Sequence, residues 1–337
     1  MAMKIFFRVD ASESIGIGHL KRCQVLAKQF IKKGSEVTFF STRETQQFLP
    51  VNSNDIQYQF IEDFWSTSFL QQALNSDLFI VDHYALGIEF EQEVSQKLNT
   101  NILVIDDFNH RPHYCDYLLN QNYGFSPESY KGLIPEFCKL FLGPTYALLD
   151  EIYSQYRQDK FFPENEVENI LINFGGTDPY HLCTFAFEAV KELGYKSRID
   201  IVLGHSPEQK KVLERLIQNT TPQVVMHDYI PLAPLISRSD LIIGAGGSSS
   251  WERCCLGKPS IIISTSPDQM LVAERLDNAS ALIYLGHYDM IGKQKLANAI
   301  SEISNNHILR NLIASNAHKL CDGLGTQRLV EEIYAEY

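Results

Sequence analysis

The sequence predicts an α/β fold made of two doubly wound domains. Short apolar, β-branched or aromatic runs alternate with longer segments of helical period, as expected for parallel sheets covered by helices. The alternation occurs in both halves of the chain, and a polar stretch around one proline, residues 153–168, separates the halves. A chain of 337 residues is also long enough to bury two separate cores.

The predicted elements follow in order along each half. In the first half the strands are KIFFRV, EVTFF, LFIVD and NILVIDD, and a helix is predicted over residues 20–33 with Gly34 as its C-terminal cap. In the second half the strands are NILINF, RIDIVLG, QVVMHDY, DLIIGAG and SIIIS. We therefore predict an N-terminal domain over residues 1–155 and a C-terminal domain over 165–323, with a helix over 324–337 that could pack back on the first domain.

The composition limits the classes of partner. A net charge of −12 and a sequence pI near 5.3 leave no excess of cations for binding nucleic acid or an anionic membrane surface. The seven cysteines form no C-x-x-C pair, and no run is apolar enough for a signal peptide or a membrane helix. We expect a cytoplasmic protein, a monomer by default, that binds a small molecule without a metal or other cofactor.

A glycine-containing loop follows the first predicted strand. Gly16 and Gly18 precede His19, and Lys21 stands where a dinucleotide-binding fingerprint needs its third glycine, so NAD binding is not predicted. The glycines allow the backbone to approach a ligand closely, and a histidine can accept a proton near neutral pH. His19 is thus a candidate general base; a helix-capping histidine is the structural alternative.

Acidic residues end or follow three predicted strands: Asp10, Asp82, and the pair Asp106 and Asp107. The carboxyl ends of parallel strands face the ligand crevice, so these acids could orient a base or bind sugar hydroxyls. Each one could instead cap a helix. Their joint occurrence at one edge of the sheet favours a site.

Two glycine-rich segments follow strands of the second half. Gly175 and Gly176 lead through Thr177 and Asp178 to Pro179, which suits either a ligand contact at a helix start or an ordinary strand-to-helix turn. Residues 244–259, GAGGSSSWERCCLGKP, run from a strand into a helix start that offers N–H groups and hydroxyls to phosphate oxygens. Glu252, on the first turn, could accept from both hydroxyls of a ribose. We favour nucleotide binding over serine capping here.

Together these segments resemble the hydrolases of pseudaminic acid biosynthesis known as PseG, which release a 2,4-diacetamido-2,4,6-trideoxy sugar from UDP. The resemblance covers nearly the whole chain, through R-x-D, G-x-G-H-x-x-R, V-D-H-Y, I-D-D, L-N-Q-N over 119–122, G-P-x-Y-A-L-L from Gly143, G-G-x-D-P and G-G-S-S-x-W-E-R. It implies the glycosyltransferase B fold, two doubly wound Rossmann-like domains with a cleft between them, similar to the MurG transferase.

The resemblance also implies roles for the candidate residues. His19 would activate a water that attacks the anomeric carbon and expels UDP with inversion. Gly16, Gly18 and Arg22 would line this site, with Asp10, Asp82 and Asp106 as supports or sugar contacts. The C-terminal domain would hold UDP through Gly175, Gly176, Gly246, Gly247, Ser248, Ser249, Glu252 and Gln269. Asp268 stands where the family commonly has asparagine.

Two other functions fit the same residues. A glycosyltransferase of this fold would use nearly the same site with a hydroxyl-bearing acceptor in place of water. A nucleotide-sugar binding protein without catalysis would bind UDP and be indifferent to replacement of His19. UDP release in the absence of any acceptor distinguishes the hydrolase from both.

Overall fold

The structure is a computed structural model that describes residues 2–12, 15–49, 55–62, 67–158, 162, 167–176, 178–204, 207–218, 223–228 and 230–337. The chain divides into two compact units. The first comprises Met1–Asp150 together with Leu324–Tyr337, and the second comprises Glu151–Gly323.

The first unit contains a sheet of seven strands in the described part of the chain. These are β1 Lys4–Val9, β2 Glu36–Thr42, β3 Gln57–Ile61, β4 Leu78–Asp82, β5 Asn101–Ile105, β6 Tyr117–Asn120 and β7 Lys139–Leu142. Their order is β3-β2-β1-β4-β5-β6-β7, and each neighbouring pair is parallel. The strand order reverses between β1 and β4, the kind of switch point at which open α/β sheets bind ligands.

Helices cover both faces of this sheet. They are α1 Gly18–Lys32, α2 Ile88–Leu98 and the last helix of the chain, α11 Gly325–Tyr334, with short 3-10 turns at Arg43–Phe48, Ser68–Ala73, Pro127–Tyr130 and Pro144–Tyr146. The buried residues of α1 recur at helical spacing, among them Leu20, Cys23, Leu26, Ala27 and Phe30. After α1, Gly34 has φ +92°, a left-handed conformation that glycine adopts without strain.

Side chains along the strands alternate between the two faces of the sheet. Phe7 and Val9 of β1 belong to one apolar cluster together with residues of α1 and α11. Phe6 of β1 and Val81 of β4 belong to another cluster together with residues of α2. Odd or even position along a strand therefore decides whether a side chain meets α1 or α2.

The second unit contains a six-stranded parallel sheet of order β10-β9-β8-β11-β12-β13 in its described part. The strands are β8 Asn169–Asn173, β9 Arg198–Val202, β10 Val224–His227, β11 Leu241–Gly244, β12 Ser260–Ser264 and β13 Ile283–His287. The helices are α3 Glu151–Tyr156, α4 Leu182–Glu192, α5 Pro207–Ile217, α6 Ala233–Arg238, α7 Ser249–Cys255, α8 Pro267–Asn278, α9 Lys293–Asn305 and α10 His307–Leu320, with a 3-10 turn at Tyr288–Met290. The order reverses between β8 and β11, which is a second switch point.

The core of the second unit is mostly aliphatic. Ile170 and Ile172 of β8 and Ile199 of β9 lie in one apolar cluster with Leu296 and Ile300 of α9. Both faces of a parallel sheet are covered, so its strands are short and almost continuously apolar. This composition is what made the strands of this half recognisable in the sequence.

Each strand predicted from the sequence is confirmed, and the predicted first helix begins two residues earlier than expected, at Gly18. The structure adds β3, β6, β7 and β13, and the helix expected to begin near Pro179 begins instead at Leu182. Among the described residues no helix has the length and apolarity needed to cross a membrane.

Candidate active site

His19 and Asp82 meet at the switch point of the first unit. His19 is the second residue of α1, and Asp82 is the last residue of β4, the strand paired with β1. Nδ1 of His19 lies 2.6 Å from Oδ1 of Asp82, and the two side chains are 11% and 1% exposed. Because a carboxylate only accepts, Nδ1 carries the proton of this bond. Nε2 has no hydrogen-bond partner among the described residues, so its lone pair can accept a proton.

Arg22, one turn further along α1, binds the same carboxylate. Its Nε donates to Oδ2 of Asp82 at 2.7 Å, and its Nη2 donates to Oδ1 at 2.6 Å. The guanidinium also donates to both carboxylate oxygens of Asp107, at 2.7 and 2.8 Å. Nη2 lies 3.0 Å from Nδ1 of His19. That contact is not a hydrogen bond, because arginine only donates and the Nδ1 proton is directed at Asp82.

Asp82 and Asp107 are held in the ionised form. Burial alone would raise the pKa of Asp82, but the charges of Arg22 and His19 and their hydrogen bonds outweigh burial and lower that pKa well below its ordinary value. The pKa of Asp107 is also lowered against its burial, chiefly by Arg22. A carboxylate that stays charged can orient an imidazole and stabilise the positive charge formed when Nε2 takes a proton.

Tyr84 lies beside the imidazole. Its hydroxyl donates to Oδ2 of Asp107 at 2.8 Å, and its ring meets the ring of His19 edge-on with 4.6 Å between centroids. Arg111 donates to the backbone carbonyls of His83 and Tyr84, which fixes the loop after β4. Tyr84 is 43% exposed, so an aromatic surface is held open to a ligand next to the base.

Two glycines, Gly16 and Gly18, lie at the turn that leads from the loop before α1 into the helix. Gly16 has φ +80°, and its N–H donates to the carbonyl of Ser12 at 2.8 Å. Gly18 is the first residue of α1. Residues 13 and 14 lie outside the described residues. The closed turn brings the start of α1, and with it His19, to the end of β1.

Asp10 belongs to a separate ion pair. Nη2 of Arg8 donates to Oδ2 of Asp10 at 2.8 Å, and Nε2 of His83 lies 3.2 Å from the same oxygen. The N–H of Ala85 donates to Nδ1 of His83, so Nε2 of that ring carries the proton. His83 therefore has no free lone pair to act as a base. Asp10 makes no hydrogen bond to His19.

Asp106 also lies apart from His19. Its Oδ2 accepts from the hydroxyl of Tyr130 at 2.8 Å, its Oδ1 accepts from the N–H of Phe108 at 3.1 Å, and Nε2 of His113 lies 3.9 Å away. Burial raises the pKa of Asp106, and the charge of His113 opposes this only in part. Of the two consecutive acids, Asp107 contacts Arg22 and Asp106 does not.

The glycines of the second unit lie at the second switch point. They follow two paired strands: Gly175 and Gly176 come after β8, and Gly246 and Gly247 come after β11. Gly175 and Gly247 have φ values of +93° and +88°. A Cβ on Gly244 would lie 2.3 Å from the carbonyl oxygen of Asn173, so only glycine fits where these strand ends meet.

The start of α7 presents unused hydrogen-bond donors. The N–H groups of Gly247, Ser248 and Ser249 donate to no described group. The hydroxyl of Ser248 makes no capping hydrogen bond. Open N–H groups at a helix start bind anions such as phosphate, and the helix dipole also favours negative charge at this end of the helix.

Arg253 shapes this segment from within. The residue is 4% exposed, and its guanidinium donates to the carbonyl of Ala245 at 2.8 Å and to the hydroxyls of Ser249 and Ser250 at 3.1 and 3.0 Å. Burial lowers the pKa of Arg253 to about 10. Its donors are used inside the segment, so Arg253 holds the loop in shape and does not reach outward.

Gln269 and Glu252 flank the glycines. Oε1 of Gln269 accepts from the N–H and the hydroxyl of Thr265 at 3.0 and 3.1 Å. A Cβ on Gly246 would lie 3.0 Å from Cβ of Gln269, so the two segments touch. Glu252 is half-buried on the first turn of α7. Asp268, on the first turn of α8, is half-buried and makes no hydrogen bond to a described residue.

Asp178 has a structural role in the G-G-x-D-P segment. Its carboxylate accepts from the N–H groups of Leu182 and Cys183 at 2.8 and 2.9 Å and from the amide of Gln209 at 2.6 Å. These bonds satisfy the first donors of α4. Thr177 lies outside the described residues, so the glycines before it are the ligand-contact candidates that remain in this segment.

Two residues of the His19 group, Tyr84 and Asn122, were given no role in the sequence analysis, and Asp107 was considered there only as one of a pair with Asp106. The amide of Asn122 donates to the backbone carbonyl of Asp107 at 3.2 Å. Tyr84, Asp107 and Asn122 each lie two residues after the last residue of a strand, and that shared position is the signal that could have identified them. Within the described ranges no group of three or more His, Cys, Asp or Glu side chains is arranged to hold a metal ion.

Comparisons with known proteins show which chains this one is similar to. A family model described as the glycosyltransferase family 28 C-terminal domain matches residues 170–322. The UDP-2,4-diacetamido-2,4,6-trideoxy-beta-L-altropyranose hydrolase of Campylobacter jejuni is 29% identical over 256 residues, which cover 73% of this chain and 86% of that protein. The spore coat polysaccharide biosynthesis protein SpsG of Bacillus subtilis is 24% identical over 347 residues, 99% of each chain.

Solved structures share the fold. MurG of Acinetobacter baumannii superposes with a TM-score of 0.68 at 15% identity, covering 98% of this chain and 99% of that chain. The calicheamicin glycosyltransferase CalG4 gives a TM-score of 0.68 at 13% identity, covering 99% and 98%. The chain therefore has the glycosyltransferase B fold, and the resemblance to the PseG hydrolases predicted from its motifs is confirmed.

Proposed function

We propose that this relative of the PseG hydrolases splits a UDP-linked 2,4-diacetamido-2,4,6-trideoxy hexose into UDP and the free sugar, as a step of pseudaminic acid biosynthesis. The proposal includes a cytoplasmic enzyme that acts as a monomer and needs no cofactor. One observation carries the chemistry: Asp82 binds Nδ1 of His19 at 2.6 Å and leaves Nε2 without a described partner. This is the arrangement of a general base held in one tautomer.

The reaction needs a single proton transfer at the attacking water. Nε2 of His19 removes a proton as the water oxygen bonds to the anomeric carbon, and the bond from that carbon to the UDP oxygen breaks. The electron pair stays with the diphosphate. UDP is a good leaving group, so no acid has to protonate the departing oxygen, and attack from the opposite side inverts the anomeric centre.

Residues of the second unit stabilise the charge that grows on the diphosphate. The N–H groups of Gly247, Ser248 and Ser249 are open donors at a helix start, and Gly246 lies so close to Gln269 that a Cβ would come within 3.0 Å of Cβ of that residue. Donors fixed before the reaction stabilise such charge without reorganising. Gly175 and Gly176 lie on the neighbouring side of the same switch point. Glu252 binds the ribose hydroxyls. Gln269 lies against Gly246 on the UDP side and accepts from Thr265 in the loop before α8.

Residues of the first unit hold the base. Asp82 fixes the imidazole and stabilises its charged form, and Arg22 anchors Asp82 by two hydrogen bonds. Gly16 and Gly18 set the turn that begins α1. Asp10 and Asp106 act as supports that hold the loops after β1 and β5, because neither reaches His19.

The alternative to a hydrolase that has an observation in its favour is a glycosyltransferase. The family model over residues 170–322 is that of glycosyltransferase family 28. Such an enzyme would use the same nucleotide donors and the same base, with an acceptor hydroxyl in place of water. It predicts that UDP release depends on an added acceptor.

The proposal is tested by UDP release without any acceptor. Wild type, His19→Asn and His307→Asn are each mixed with a panel of UDP-linked diacetamido hexoses, and UDP affinity is measured by calorimetry on the same samples. His307 is a matched control because it begins α10, in the other unit from His19. We expect stoichiometric UDP release by wild type and the control, and a loss of about 10²- to 10⁴-fold in His19→Asn with UDP affinity retained.

Three results would oppose the proposal in different ways. No release until an acceptor is added favours the transferase. Release by His19→Asn at the wild-type rate removes His19 as the base. UDP binding without turnover on any member of the panel favours a binding protein.

A further inference from the structure

Asp107 has no role in the chemistry described so far, yet it contacts the group around His19. The Arg22 guanidinium lies between two carboxylates and makes two hydrogen bonds to each, with Asp82 on one edge and Asp107 on the other. Asp107 also accepts from the hydroxyl of Tyr84 at 2.8 Å. One side chain thus fixes both the arginine and the tyrosine that border the imidazole.

The charges of this group explain why a second acid is needed. Arg22 paired with Asp82 alone would form a neutral pair, and the imidazole would gain its positive charge beside no net negative charge. With Asp107 present, two carboxylates face one guanidinium, and the group is left with one negative charge while His19 is neutral. The positive charge of His19 then completes a neutral group, which favours proton uptake from the water.

Other titratable groups near His19 do not supply this charge. From α1, the thiol of Cys23 lies 3.3 Å from Oδ2 of Asp82, and burial raises the pKa of that thiol so that it stays neutral. From the loop after β4, the ring of Tyr84 meets the imidazole edge-on, and its hydroxyl donates to Oδ2 of Asp107. Asp82 is the last residue of β4, and Asp107 lies two residues after β5. Arg22 also lies beside the ring, with its Nη2 3.0 Å from Nδ1.

We propose, resting on the function proposed above for His19, that Asp107 is a positioning residue of the reaction. It neutralises Arg22 so that the charge of Asp82 remains available to the imidazole, and it holds Tyr84 against the ring. Asp106, next to it in the sequence, has no part in this.

The test is a titration of His19 that does not depend on turnover. The imidazole resonances of His19 are followed by NMR against pH in substrate-free full-length protein, for wild type, Asp107→Asn, Asp107→Glu and Asp77→Asn. Asp77 is a matched control: it precedes β4, at the opposite end of the same strand from Asp82, and its carboxylate accepts from the N–H of Lys4. The pH profile of kcat/KM is measured on the same proteins.

We expect the midpoint of the His19 titration to lie about one pH unit or more lower in Asp107→Asn than in wild type. This is the effect expected from removing one negative charge close to the imidazole. The acidic limb of the kcat/KM profile should fall with it. Asp107→Glu should recover most of the shift, and Asp77→Asn should match wild type. Arg22→Gln removes the cation instead and should move the midpoint upward. A downward shift in that variant would contradict the charge account even if Asp107→Asn does not fold.

An unchanged midpoint in folded Asp107→Asn, or a downward shift in Arg22→Gln, would overturn the role of Asp107. A midpoint that falls while the kcat/KM profile stays in place supports the charge relationship and rejects His19 as the base. The failure of the two proposals is therefore distinguishable.

Discussion

Oδ1 of Asp82 lies 2.6 Å from Nδ1 of His19, and the same carboxylate accepts two hydrogen bonds from Arg22. The bond sets the tautomer of His19 and leaves Nε2 as the acceptor. Asp82 is at a strand end and His19 at a helix start, and both are held by the core beneath them. The position of the base is therefore built into the sheet and does not depend on a ligand.

Asp82→Asn should keep the fold and lose turnover. An asparagine can offer its oxygen to Nδ1 but supplies no charge to stabilise the imidazolium, so we expect kcat to fall by about 10²- to 10⁴-fold. UDP affinity, measured by calorimetry, should stay within about twofold of wild type, because the proposed UDP donors belong to the second unit. A kcat close to wild type would contradict the role given to this pair.

Gly247→Ala should weaken UDP binding. Gly247 has φ +88°, where an alanine is strained by about 1 kcal/mol or more, and relief of that strain would turn its N–H away from the anion position. We expect the Kd for UDP to rise about tenfold or more. Gly194→Ala is the matched control, since Gly194 has φ +69° with nothing within 4 Å of its Cβ position. Equal UDP affinity in the two variants would remove Gly247 from the site.

The stability of the first unit should fall in acid through Asp82. Its pKa is lowered in the folded state, so the stability it contributes is present above the unfolded pKa of about 3.9 and is lost as pH falls below that value. Denaturant unfolding of wild type between pH 5 and pH 3 should therefore show a steeper loss than unfolding of Asp82→Asn. Parallel curves for the two proteins would contradict the ion-pair account.

The contribution of Asp106 to the free energy of unfolding should change with pH in the opposite direction to that of Asp82. Its pKa is raised in the folded state, so its contribution is greatest below the unfolded pKa and is lost as pH rises through the folded value. Asp106→Asn should remove this component, and its stability relative to wild type should improve as pH rises from about 4. The same denaturant series measures this, and a difference that stays constant with pH would show that Asp106 ionises without cost.

Most strands of the two sheets could be predicted from the sequence because the short apolar strands of a buried parallel sheet are distinctive. The strand ends then indicated the edge of each sheet at which the candidate site residues lie. The strands that were missed carry weaker signals. β3 is QYQFI, with polar residues at alternate positions on the edge of its sheet, and β13 contains Gly286 at φ +114° next to an irregular register. Edge strands need fewer apolar residues, so the sequence alone does not mark them.

Alternation along β5 distinguishes Asp107 from Asp106 as the acid that contacts Arg22. Val104 of β5 lies in the cluster on the α2 face, and Ile105 lies in the cluster on the α1 face. If this alternation continues past the strand, Asp107 lies on the same face as Ile105, which is the face that Arg22 of α1 covers. Asp106 then lies on the opposite face. The same alternation puts Asp10 on the face away from His19, since Val9 lies on the α1 face. Hydrogen bonds such as that from Tyr84 to Asp107 depend on loop conformation, which local pattern does not encode.

Hydrolysis in water enriched in oxygen-18 tests the central claim most directly. If the base directs water to the anomeric carbon, the label appears in the freed sugar, the UDP is unlabelled, and His19→Asn forms labelled sugar far more slowly than wild type. Label in the β-phosphate of UDP, or labelled sugar formed equally fast by His19→Asn, would contradict the assignment of His19 as the base for attack on carbon.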